Sequence, residues 1–156
     1  MGKGELMEKF RKLSTVGWRE WISLPDLGIP HIKVKVDSGA RTSALHATKI
    51  RYLPMGDGVI WVSFMVTQQL SPRRSVRVRA PLVEKRRVKS SMGHASLRPV
   101  IRTSIALGNQ IWPIEITLVN RDPMGFRMLL GRRALVGKFI IHPGRSFLQS
   151  VNRESI

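Results

Sequence analysis

The sequence contains no cysteine, so disulfides, thiolate nucleophiles and Cys-ligated zinc are excluded together. Acidic residues are scarce: ten Asp and Glu stand against 27 Lys and Arg, a formal charge of +17 at pH 7. A charge this large attracts polyanions of any kind and points to an acidic partner or substrate without choosing among them. Aromatic residues are only 6%, and no Lys/Arg-Gly-Phe/Tyr stacking motif interrupts the basic segments, which argues against RNA as the main ligand. No run approaches the ~18 apolar residues of a membrane span, and Met1–Leu13 lacks the apolar centre of a signal peptide. The expectation is a soluble, cytoplasmic protein with no membrane partner. Metal and nucleotide machinery are missing too, since there is neither a His-Glu-x-x-His pair nor a Gly-x-x-x-x-Gly-Lys-Ser/Thr loop. His31, His46, His94 and His142 are scattered without ligand spacing, so no metal and no cofactor are expected.

What is present fits one domain: 156 residues, 42% hydrophobic and 24% charged, near the globular average. Residues 1–15 suggest an N-terminal arm or short helix, from the weak apolar spacing of Leu6, Phe10 and Leu13. Residues 16–156 form the β domain. There, short runs of β-branched and aromatic residues alternate with polar ones between Gly, Pro and Asp. The alternation predicts strands at Trp18–Leu24, His31–Asp37, Lys49–Tyr52, Val59–Val66, Ser75–Val83, Val100–Leu107, Ile111–Val119 and Phe139–His142. Gly and Asn at Met55–Gly58 and Leu107–Gln110 mark tight reversals. One helix is expected after Gly131, ending at Gly137.

The basic charge is concentrated between Ser71 and Thr103, where ten cations face Glu84 alone. Arg77 and Arg79 alternate with Val76 and Val78, so a strand would carry both guanidinium groups on one face. Such a face serves either solubility or binding.

Two segments carry candidate chemistry. In Val34–Ala47 (VKVDSGARTSALHA) an alternating strand runs into Asp37-Ser38-Gly39-Ala40, placing a carboxylate at a strand end where small residues let the backbone turn sharply. By itself this is a common strand-to-turn signal. About ninety residues on, Arg127-Met128-Leu129-Leu130-Gly131-Arg132 is an apolar strand ending in Gly-Arg before a short helix. The pair resembles the retropepsin-like aspartic peptidases, whose protomer has an Asp-Thr/Ser-Gly-Ala loop followed later by two apolar residues, Gly and a short helix. Ser38 stands where Thr is usual. The resemblance extends to a bacterial branch labelled ATP-dependent zinc protease, which includes the RimB-like peptidases, through Gly17–Ile29, Lys35–Ala47, Arg98–Gly108, Trp112–Arg132 and Pro143–Leu148.

The resemblance implies an all-β, retropepsin-like closed β-barrel, half of an acid-protease site. It implies a homodimer in which each protomer supplies one catalytic Asp37. Two such carboxylates face to face share a proton, one activating water while the other donates to the scissile carbonyl. Ser38, Gly39 and Ala40 would support the Asp loop directly, with Leu129, Leu130 and Gly131 beneath it. A flap hairpin is expected at Arg87–Pro99, with Ser91, Gly93 and His94 at a tip that meets substrate. Members of the branch are associated with RimK-type glutamate ligases that extend a ribosomal protein's tail, so the implied substrate is polyglutamate. Arg41, Arg79, Arg86, Arg87, Arg98 and Arg132 are the candidates for holding glutamate side chains, because Arg clamps carboxylates through two parallel hydrogen bonds. The alternative is a non-catalytic β module that binds a polyanion or the ribosome.

Overall fold

The computed structural model describes residues 2–5, 13–67, 74–89, 92–120 and 125–150. Residues 3–5 are helical, while the rest of the expected N-terminal helix, 6–12, and the tip residue Ser91 lie outside the described residues.

The body is all-β. Its strands are β1 (Ser14–Gly17), β2 (Arg19–Leu24), β3 (Ile29–Asp37), β4 (Ser43–His46), β5 (Thr48–Pro54), β6 (Ile60–Thr67), β7 (Ser75–Lys89), β8 (Ala95–Leu107), β9 (Gln110–Val119), β10 (Met128–Gly131) and β11 (Phe139–His142). A 3₁₀ turn, η1 (Pro25–Leu27), joins β2 to β3, and a single-turn helix, α1 (Arg132–Leu135), follows β10. Its chain exit is the expected one, with Gly137 in the left-handed region at φ +77°.

Nine strands share one sheet in the order β2-β3-β10-β4-β9-β8-β7-β6-β5, and β2 also meets β8 at Ser23 and Ala106. Hydrogen bonding therefore runs in a ring through β2, β3, β10, β4, β9 and β8, with β7, β6 and β5 continuing outward as a wing. The interior is filled by the inward side chains of these strands: Ile32, Val34, Leu45, Ile101, Ile105, Ile116, Leu118, Met128 and Leu130 are essentially inaccessible to solvent. Burial of this kind is the main favourable term in folding. In the wing, Val62, Phe64, Val66 and Val78 turn to the core while Arg77 and Arg79 stay on the opposite pleat face, as the alternation requires.

The hairpin turn at Gly108-Asn109 joins β8 to β9 with Leu107 opposite Gln110, and Gly108 supplies the positive φ of +61°. Two strands extend further than alternation indicates. β7 continues past Val83 to Lys89, and β8 starts at Ala95 rather than Val100. These residues pair with each other beyond a register shift at Leu82/Glu84. They read poorly as strand because they cover little core: apart from Leu97, which is exposed, and Pro99, which is buried, their side chains are charged or small and mostly solvated. β1 and β4, each of four residues, are likewise too short to show a period.

One buried carboxylate fastens both ends of the domain. Glu20 is inaccessible to solvent. Its Oε2 accepts from the amides of Gly17 (2.7 Å) and Leu148 (2.8 Å), and its Oε1 from the Gln149 amide (3.0 Å) and the Ser150 hydroxyl (2.7 Å). Around it the Trp18 amide donates to the Arg145 carbonyl, and a Cβ on Gly17 would collide with that same carbonyl, so only glycine permits the approach. The Arg19 guanidinium lies 4.7 Å from the Trp18 ring centroid and 5.0 Å from that of Phe147, closing the clasp. Substituting Glu20→Gln puts an NH₂ against two of these donors. The expected result is a loss of about 3 kcal/mol, from removing charge-assisted bonds and stranding buried donors. In thermal unfolding followed by circular dichroism this corresponds to a Tm lower by roughly 6–12 °C; an unchanged Tm would show that the clasp adds nothing.

Candidate active site

The site begins with strand order. β10 lies between β3, to which it runs parallel, and β4, to which it runs antiparallel. The register sets Leu130 opposite Val36 and Gly131 opposite Asp37, so the two segments singled out in the sequence end side by side. Leu130 is buried and Leu129, half-buried, alternates to the other face.

Asp37 is half-buried at the C-terminal end of β3, and the loop that follows exposes Ser38 and Gly39. The Gly39 amide donates to Asp37 Oδ1 at 3.0 Å, and the Ala40 amide donates to the Asp37 carbonyl at 3.2 Å. A Cβ on Gly39 would stand 3.2 Å from that Oδ1, so glycine keeps the approach to the carboxylate open. One oxygen is thus oriented by backbone, and Oδ2 has no partner among the described residues. A carboxylate so held can take a proton from water or give one to a bound carbonyl.

The loop is braced from the β10 side. The Arg132 and Arg133 amides, first in α1, donate to the Ala40 (2.9 Å) and Arg41 (3.2 Å) carbonyls, satisfying helix-start donors that have no intrahelical partner. The Arg132 guanidinium reaches the Ser38 and Gly39 carbonyls at 3.3 and 3.4 Å. Gly131 itself is pressed against Thr42: a Cβ there would lie 2.5 Å from the Thr42 carbonyl carbon and 2.6 Å from its oxygen. Its amide donates to Ser43 Oγ at 3.1 Å, and Thr117 Oγ1 in turn donates to the Ser43 carbonyl at 3.1 Å. Ser43 and Thr117 were not singled out in the sequence. A small hydroxyl at the start of a four-residue strand carries no recognisable signal.

The basic set divides. Arg132 is a loop brace, and exposed Arg41 belongs to the Asp loop. Arg86 is already paired: its Nε and Nη2 lie 2.7 and 2.6 Å from Glu84 Oε1, and Nη2 lies 3.1 Å from Glu115 Oε1. The hydrogen bonds to Glu115 and then Glu84 push its pKa above the ordinary arginine value. Arg98, directly across from Arg86, donates to Ser96 Oγ, and Arg87 is exposed opposite Leu97. These three stand on the β7–β8 hairpin, whose tip includes exposed Gly93, at φ +84°, and His94. Arg79 is on the wing, its guanidinium 5.8 Å from the Trp61 ring centroid, and the groove it lines is shared with Asp26 and Leu27 rather than with the Asp loop. Among the described residues no three His, Asp or Glu side chains gather as a metal site would require.

Comparison with known proteins bears on this arrangement. Residues 15–152 match the family described as RimB-like, retropepsin-like aspartic endopeptidase RimB. A protein of Desulfotalea psychrophila named "Probable alpha-L-glutamate ligase" is 48% identical over 143 residues, covering 90% of this chain and 31% of that protein. One of the same name from Parasynechococcus marenigrum is 50% identical over 131 residues, covering 82% and 28%. The chain therefore spans less than a third of the length of these relatives. Among solved structures, a Legionella pneumophila protein of unknown function superposes with a TM-score of 0.71 at 26% identity, covering 87% of this chain and 98% of that one.

The tightest point of the site gives a direct test. Gly131→Ala must push the Thr42 backbone away, an overpacking expected to cost about 2 kcal/mol. Ser43→Ala leaves the buried Gly131 amide unpaired and should cost about 1–3 kcal/mol. Urea titration of both variants measures these losses.

Proposed function

The chain belongs to the RimB-like family of retropepsin-like aspartic endopeptidases, and from that premise we propose that it is an aspartic endopeptidase acting as a homodimer on glutamate-rich tails. The observation that carries this reading is Asp37: a carboxylate at a strand end, one oxygen oriented by the Gly39 amide, in a loop locked to Gly131 and Arg132. One protomer offers one such group. Two copies facing across a two-fold axis would form a dyad sharing one proton, because adjacent carboxylates resist double ionisation.

In this mechanism the ionised Asp37 takes a proton from water as the water oxygen attacks the scissile carbonyl carbon. The protonated Asp37 of the other protomer donates to the carbonyl oxygen. Collapse of the tetrahedral intermediate then delivers a proton to the leaving nitrogen and breaks the C–N bond, so no covalent enzyme intermediate arises. The β7–β8 hairpin would close over the substrate as a flap, with Gly93 allowing its tip to bend. His94 belongs to that tip. Arg41 and Arg87 are the cations best suited to glutamate side chains, since Arg132, Arg86 and Arg98 already hold partners in the protomer.

The +17 charge supports an acidic substrate, and the relatives' name connects the family with glutamate ligation. That name belongs to proteins more than three times longer than the matched segment. For this segment, Asp37 favours hydrolysis of a glutamate chain over its synthesis. A polyglutamate-tailed ribosomal protein in the cytoplasm is the natural target, with electrostatic contact to the ribosome helping encounter.

The test is mass spectrometry of an α-linked polyglutamate peptide incubated with the wild type and with Asp37→Asn, with and without a chelator. The wild type should shorten the peptide regardless of chelator, and Asp37→Asn should be slower by roughly 10²–10⁴-fold. Sedimentation should show a dimer under the cutting conditions. Binding without cutting by both proteins would support the polyanion-binding module instead.

A further inference from the structure

We propose that the outer face of the β5–β6–β7 wing is a binding site for single-stranded nucleic acid, separate from the Asp37 loop and independent of peptidase activity. The registers build it. Arg51 on β5 and Arg79 on β7 both stand directly opposite Ser63 of β6, forming a cross-strand row. Arg77 joins the row by donating to Ser63 Oγ at 2.7 Å, which fixes its guanidinium on the same face. Trp61, two residues along β6, lies beside them under the Arg79 guanidinium, 5.8 Å from ring centroid to Cζ. Leu53 is paired with Trp61 and continues the surface.

Trp61, Ser63, Arg77 and Arg79 line an open groove of about 570 Å³, within the roughly 300–1,000 Å³ usual for ligand sites. The carboxylate on its rim, Asp26, accepts from the Ser104 amide at 3.0 Å and is held there. The groove therefore combines two guanidinium groups, those of Arg77 and Arg79, with an indole and a single anchored anion, and Arg51 stands in the same cross-strand row on β5.

The indole decides the ligand class. An aromatic face carries negative charge density, so it disfavours a carboxylate laid against it and gives an acidic peptide no advantage. A nucleobase stacks on such a ring, or on the open face of a guanidinium resting on it, while the neighbouring arginines meet phosphates. Place in the fold separates this groove from the candidate active site. Asp26 and Leu27 adjoin the N-terminal end of β3, whereas Asp37 ends it, eight residue steps or roughly 26 Å along the strand.

A +17 protein binds any polyanion to some degree, so the experiment must separate stacking from charge. Fluorescence anisotropy of a labelled twelve-nucleotide oligouridylate would be measured against salt for the wild type, Trp61→Leu, Trp61→Phe, Arg79→Ala and Arg145→Ala. Trp61→Leu, which changes no charge, should weaken binding at least about fivefold, the lower end of stacking contributions, and Trp61→Phe should recover most of it. Arg79→Ala should weaken binding and lower the salt slope by about one, while Arg145→Ala, an exposed cation outside the groove, should change affinity less than twofold. Asp37→Asn should bind as the wild type does. The proposal is overturned if Trp61→Leu binds as tightly as the wild type. It is equally overturned if Trp61→Phe binds no better than a folded Trp61→Leu, or if a twelve-residue polyglutamate peptide displaces the oligonucleotide at equal concentration.

Discussion

The contact on which this domain turns is that between two stretches of backbone, Gly131 against Thr42. It allows β10 to lie between β3 and β4, although its residues come about ninety positions after β3. Once β10 is seated there, its last residue falls opposite Asp37, and the chain has only to begin a helix for its free amides to meet the Asp loop's carbonyls. The orientation of the candidate catalytic carboxylate is therefore a consequence of sheet order. A methyl group at position 131 would disturb all of it, because the obstacle is backbone and cannot rotate aside.

With few carboxylates available, the protein secures its cations by other means. Carbonyl oxygens hold Arg132, a serine hydroxyl holds Arg77, and aromatic faces lie under Arg19, Arg79, Lys85 and Lys138. Arg86 pairs with two acids, Glu84 and Glu115. Exposed ion pairs contribute little in any case, so this economy of acids costs little stability. It leaves the surface strongly basic and open to anionic partners.

Much of this was legible in the sequence where residues alternate over a core. The strands from Trp18 to Leu24, His31 to Asp37 and Ile111 to Val119 announce themselves because one face is buried, and Gly108-Asn109 announces the reversal. The Asp37 and Gly131 segments were legible as a pair through their likeness to a family, while neither signified much alone. Three features were not legible. The strand pattern of the outer β7–β8 hairpin, which only the family resemblance led us to expect, is hidden because few of its side chains are buried to impose a period. β4 is four residues long, and its Ser43 does its work by bonding to a distant amide. Glu20 looks like an ordinary surface glutamate until the segment at 145–150 folds back over it. For Ser43 and Glu20 the deciding partner lies far away in sequence, and a local pattern cannot report it.

The same long separation between β3 and β10 has a temporal side. At a synthesis rate of about 5–20 residues per second, roughly 5–20 s pass between the emergence of Asp37 and that of Gly131. Throughout that interval the Asp loop lacks its brace, and the strands around it lack the neighbour that completes their hydrogen bonding. A growing chain would thus carry the carboxylate without the frame that aims it. Whatever depends on that frame is withheld until Gly131 has emerged, so the aim of the carboxylate is timed by the order in which the strands arrive.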